Sequence, residues 1–139
     1  VFLKAGIGMV AEDDWESHRQ LCFELFNLCA EVEYILGSFE SMRGHLEHVL
    51  LRARTVEEKL PAYFILVQSL GTQLLVGDAI DTASKVLAQL GETFPSTLSQ
   101  SEVVQEIIVT KAMLQAKSED DLANMKPMLD GEKKEAMRF

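Results

Sequence analysis

Two stretches of this chain carry the same apolar pattern, displaced by 37 residues. In the first, Leu21, Leu25, Leu28, Val32 and Ile35 recur at helical spacing, and Cys22, Phe26 and Cys29 widen the stripe. Phe39, Met42, Leu46, Val49, Leu50 and Ala53 repeat the spacing after Gly37-Ser38. Shifted by the offset, Phe26 falls on Tyr63, Cys29 on Leu66, Phe39 on Val76, Met42 on Ala79 and Leu46 on Ala83. A stripe of period near 3.6 is a helix with one buried face, and two stripes joined by a short Gly turn form an antiparallel pair. One pair cannot bury both of its faces, so the pattern predicts an all-α array of stacked helix pairs, an α-solenoid. The competing arrangement is a helical bundle whose helices have similar lengths.

Local signals set the expected boundaries. Residues 1–10 read as the end of a preceding repeat, 12–54 as a first helix pair, 56–91 as a second, and 99–139 as a third, incomplete unit. Asp13 or Asp14 is placed to cap one long helix running to about Leu36, with Trp15 in its first turn. Thr55-Val56-Glu57-Glu58 and Ser99-Gln100-Ser101-Glu102 match the capping box, in which a hydroxyl and a glutamate satisfy each other's backbone N–H groups. Pro61, whose ring clashes with the carbonyl four residues back, argues for a third helix that starts late enough to hold it in the first turn, in preference to one that starts at Val56 and bends. The fourth helix, about Val76 to Leu90, lines up Ala79, Ile80, Ala83, Val86, Leu87 and Leu90. The fifth carries Val103, Val104, Ile107, Ile108 and Ala112. Ser118 and Asp130 are placed to cap two short helices. No window alternates with a period of two, so no sheet is expected. The apolar residues at both ends read as cuts in a longer chain, which predicts self-association of the isolated segment.

Composition narrows the function classes. With 47% apolar and 25% charged residues the chain is neither disordered nor membrane-like. A net charge of −9 repels phosphate backbones, so nucleic acid is not an expected partner, and no apolar run is long enough to span a membrane. Cys22 and Cys29, seven positions apart on one helix, would lie about 10 Å apart. That is beyond disulfide reach, so both are expected reduced and buried in a cytoplasmic setting.

No motif for catalysis stands out. Gly6-Ile7-Gly8 lacks the third glycine and the strand of a dinucleotide fingerprint, and there is no phosphate-cradling P-loop. His45 and His48, three apart, read as a solvated helix face, and His18 with Cys22 lacks further metal ligands. Glu119-Asp120-Asp121 reads as a charge cluster at a helix start. Tyr34 and Tyr63 read as core or groove residues. No catalytic, cofactor-binding or metal residue is assigned on this basis.

The helix pair resembles a degenerate tetratricopeptide repeat, with Ala30, Gly37, Phe39 and Ala53 near that motif's small and aromatic positions, although Glu33, Met42 and Leu46 depart from it. In such stacks the first helix of each unit lines a concave face. That register implies a groove built from Glu24, Asn27, Glu31 and Tyr34 of the first unit and Phe64, Gln68 and Thr72 of the second. Such a groove suits a basic peptide or a neighbouring module. The phrases AGIGMV, DDWESH, AEVEYILGSFESM, HVLLRA, QLLVGDAIDTASKVLAQLGETFP and KSEDDLANM…EAMR resemble the helical repeat region of very large multidomain signalling ATPases. In that family the region follows an NTPase module of the STAND or AAA type, often after a Ser/Thr kinase-like domain. Sensor and output modules, such as GAF and histidine kinase or cyclase, come after it. The resemblance implies a non-catalytic scaffold that makes protein contacts; the alternative is an independent peptide-binding adaptor.

Overall fold

The computed structural model describes residues 2–95 and 97–139. Among them are nine helices and no strand, and helix makes up 74%. They are α1 (Phe2–Met9), α2 (Asp14–Ser17), α3 (Arg19–Ile35), α4 (Phe39–Arg52), α5 (Val56–Thr72), α6 (Val76–Gln89), α7 (Gln100–Gln115), α8 (Glu119–Ala123) and α9 (Gly131–Ala136). Consecutive helices pack as pairs, α3 on α4 and α5 on α6. The bounds of α5 and α6 are those of α3 and α4 shifted by 37 residues, and α5 also lies against both α3 and α4.

The two turns between paired helices share one backbone shape. Gly37 adopts φ +73° and Leu74, its counterpart at the same offset, φ +61°. Glycine enters this left-handed region freely, whereas a leucine meets its own carbonyl. The strain at Leu74 therefore comes from a turn geometry that both pairs require.

Two apolar clusters hold the helices. The larger contains Trp15, Cys22, Phe23, Phe26, Ala30, Met42, Leu46, Val49, Ala62 and Ile65. α1 closes one side of it through Ile7, and its Gly6 faces Leu25, where an added methyl would sit in ordinary contact, 3.4 Å from the leucine's methyls. The smaller cluster joins Leu60, Val86, Leu90 and Ala136, with Tyr63, Leu87 and Phe139 packed on it. α9, the ninth helix, thus docks on the second pair. Residues of α7 do not: Val103, Val104, Ile107 and Ile108 are all exposed. α6 is correspondingly half-covered, with Val86 and Leu90 buried, Ala79, Ala83 and Leu87 partly so, and Ile80 exposed.

Two expected helix starts are corrected. The long helix from Asp13 or Asp14 is broken at His18, where φ is −130° and ψ 36°, and neither aspartate's side chain caps it. Asp14 instead accepts a hydrogen bond from the Ala11 N–H at 2.8 Å. The break has a steric reason. Trp15 and Phe23 would be about 12 Å apart along an unbroken helix. Their ring centroids here are 5.4 Å apart, with Phe26 at 5.1 Å. The second correction concerns α5, which begins at Val56 and holds Pro61 inside it rather than in its first turn. The complete capping box of Thr55 and Glu58 fixes that start and offsets the hydrogen bond lost at proline. The boxes at Ser99 and Ser118, and the Asp130 cap, form as the sequence suggests.

Leu46, 2% exposed, and Ile107, 60% exposed, give a direct contrast. Leu46→Ala is expected to cost about 2–5 kcal/mol and Ile107→Ala to stay within about 0.5 kcal/mol, read from urea melts. Leu74→Gly should raise stability by about 0.5–1 kcal/mol in the same assay, the relief of left-handed strain less the added chain entropy.

Candidate functional site

Gln20, Glu24, Asn27 and Glu31 follow one another at spacings of four, three and four, so they share one face of α3. Glu57, Pro61 and Phe64 do the same on α5, at the same 37-residue offset from Gln20, Glu24 and Asn27. The two faces meet in a cleft of about 610 Å³ floored by Phe23 and Ile65 and bordered by Glu58 and Arg138. Four of the seven groove residues expected from sequence line it: Glu24, Asn27, Glu31 and Phe64. The other three lie elsewhere. Tyr34 and Thr72 join hydroxyls at 2.9 Å, and Gln68 is exposed, its carbonyl accepting from the Thr72 hydroxyl.

One polar atom lining the cleft lacks a partner, while Gln20 and Arg138 pair locally. Asn27 Oδ1 is buried with no hydrogen-bond donor. Gln20 donates to Glu24 at 2.7 Å. Arg138 reaches in from beyond α9, its guanidinium carbon 4.8 Å above the Phe64 ring and one nitrogen 2.8 Å from Glu135. Phe139 meets the same ring edge-on at 6.0 Å. Gln20, Phe23, Glu57, Glu58 and Arg138 were not placed in the groove by sequence, which read Glu57 and Glu58 only as part of a capping box. The first four follow from helical spacing beside the expected set. Arg138 does not, because its approach depends on where α9 docks.

Glu58 anchors the rim. Arg19 grips it with Nε at 2.8 Å and a terminal nitrogen at 2.9 Å, and that nitrogen also donates to the Arg52 carbonyl at 2.6 Å. The Arg54 N–H adds a further bond at 2.6 Å. The Arg19 guanidinium, aided by the Arg54 and Thr55 N–H groups, outweighs burial and holds the Glu58 carboxyl down at about 2. Burial pushes both thiols up, with Asp14 adding to the effect at Cys22 and Glu33 at Cys29, so neither is an activated nucleophile.

One group of metal-ligand type comes together. Cys29 Sγ, a Glu33 oxygen and a His45 nitrogen lie within 4.8 Å of one another. His45 is thus not on a simple solvated face. Its ring meets Phe26 edge-on at 5.8 Å, while His48 sits 3.1 Å from an Arg52 nitrogen. No helix among the described residues is long and apolar enough to cross a membrane.

Because the depressed Glu58 carboxyl favours the folded state, its contribution is full above the unfolded value near 4.5 and is lost as pH falls towards 2. Glu58→Gln should therefore cost about 1–3 kcal/mol at pH 7. Urea melts of the two proteins should converge between pH 4.5 and pH 2. No protein-family model, curated protein or solved structure matches this chain.

Proposed function

We propose that this chain is a non-catalytic helical scaffold that makes protein contacts, and that its α3–α5 cleft receives an arginine-bearing segment. The observation that carries the reading is Arg138 stacked on Phe64 at the mouth of a cleft edged by Glu24, Glu31 and Glu57. A guanidinium offers five N–H donors in a plane and stacks on aromatic rings. The cleft offers carboxylates, a ring face and the unpaired Asn27 acceptor, which such a group satisfies together. On this reading Arg138 is an internal occupant that a partner's arginine replaces.

The repeated helix bounds and the contact of α5 with both members of the preceding pair support a tetratricopeptide-like stack. The resemblance to the helical repeat region of multidomain signalling ATPases supplies the setting. The cleft would couple neighbouring modules of such a protein, in the cytoplasm, where two free buried thiols remain reduced. The partner is then a module of the same parent chain or a basic peptide.

The test is fluorescence anisotropy with a short labelled peptide carrying arginine beside an aromatic residue, against the same peptide with both replaced by alanine. Binding should be selective for the first, weaken with salt, fall at least tenfold in Phe64→Ala with Glu31→Gln, and strengthen in Arg138→Ala. Equal binding of both peptides, or indifference to these substitutions, would reject the cleft as the contact.

A further inference from the structure

Glu33 is a carboxylate in the wrong place for a solvated helix face. It is 2% exposed, and neither of its oxygens has a hydrogen bond. Lys4 Nζ stands 3.0 Å from one oxygen and His45 Nε2 3.2 Å from the other, but neither contact has hydrogen-bond direction. An ionised group buried this way is expensive unless it is paired well or binds a metal. Lys4 is a loose partner, since its side chain is 67% exposed and sits at the end of a flexible stem.

Cys29 lies one turn before Glu33 on α3, on the same face, and 2% exposed. His45 comes from α4, with its side chain 20% exposed. We infer that Cys29 Sγ, the Glu33 carboxylate and His45 Nε2 form a three-ligand site for a zinc-class divalent cation. This site lies outside the α3–α5 cleft and does not rest on the function proposed for it.

Geometry and charge both fit. Tetrahedral zinc with nitrogen and oxygen ligands at about 2.0–2.1 Å sets those ligands about 3.3 Å apart. The observed nitrogen–oxygen separation is 3.2 Å. The thiol, within 4.8 Å of both other ligand atoms, completes the set with an inward shift of at most about 1 Å. A thiolate, a carboxylate and a neutral imidazole around a dication sum to zero charge, which suits a buried position. The soft sulfur favours zinc, cobalt or nickel over magnesium or calcium. A cleft of about 420 Å³, bordered by Lys4, Ser41, Gly44 and His48, opens onto Glu33 and His45 and leaves a fourth position to water. On binding, the Cys29 proton leaves to solvent and Lys4 swings out, so the cation ties α3 to α4 in place of the tie from α1.

Cobalt(II) and zinc(II), each alone, are the probes, added to the whole 139-residue chain under reducing conditions. Cobalt should give a saturable thiolate charge-transfer band at one equivalent. Zinc should abolish the band by competition and raise the melting temperature by roughly 5–15 °C at a hundredfold excess over Kd. Cys29→Ser should remove the band, Cys22→Ser should leave it, and Lys4→Met should tighten binding several-fold. Should Cys29→Ser fail to fold by circular dichroism, His45→Asn, nearer the surface, should weaken binding at least tenfold. Absence of a saturable band at millimolar cobalt, a band that persists in Cys29→Ser, or one lost in Cys22→Ser would overturn the assignment.

Discussion

Arg19 joins three helix ends at one point. It opens α3, its guanidinium takes both oxygens of Glu58 at the start of α5, and the same group caps the Arg52 carbonyl at the end of α4. Glu58 in turn satisfies the Arg54 N–H and completes the capping box. Planar, two-point pairing of this kind fixes direction as well as distance. The second helix pair is tied to the first here, at the rim of the cleft between α3 and α5. The Arg19 guanidinium also lies over Phe23, its carbon 4.8 Å from the ring centroid.

The entry segment is fastened by the same economy of charge and ring. Arg52 stacks on Trp15 at 4.8 Å and pairs with Glu12 at 2.8 Å, while Arg54 pairs with Glu16. Trp15 can reach Phe23 and Phe26 only because the helix is interrupted at His18. The broken helix is therefore the condition for closing the larger core, with α1 laid over it.

α3 serves two sites on opposite sides. At 100° per residue, Glu24, Asn27 and Glu31 share one side, and Cys29 with Glu33 lies across the helix from them. One side edges the acidic cleft with α5, and the other meets α4 and α1. On one flank between them Phe23, Phe26 and Ala30 are buried in the core, while on the other Leu21 and Leu28 are exposed.

Periodicity alone determined the helices, the 37-residue recurrence and the capping boxes, because these depend on residues within a turn or two of one another. Spacing alone puts Glu24, Asn27 and Glu31 on one face of α3; that this face and Phe64 border a common cleft was implied by the tetratricopeptide resemblance, whose register sets the first helices of successive units side by side. What needed the tertiary structure was every contact between residues distant in sequence. Arg138 on Phe64, Arg19 on Glu58 and His45 beside Glu33 arise from how whole helices dock. The break at His18 and the proline inside α5 belong with them, since an aromatic contact and a salt-bridged cap override local preference there. The exposed stripe of α7 shows the same limit from the other side. Its spacing says that the face is apolar, and only the packing decides whether anything covers it.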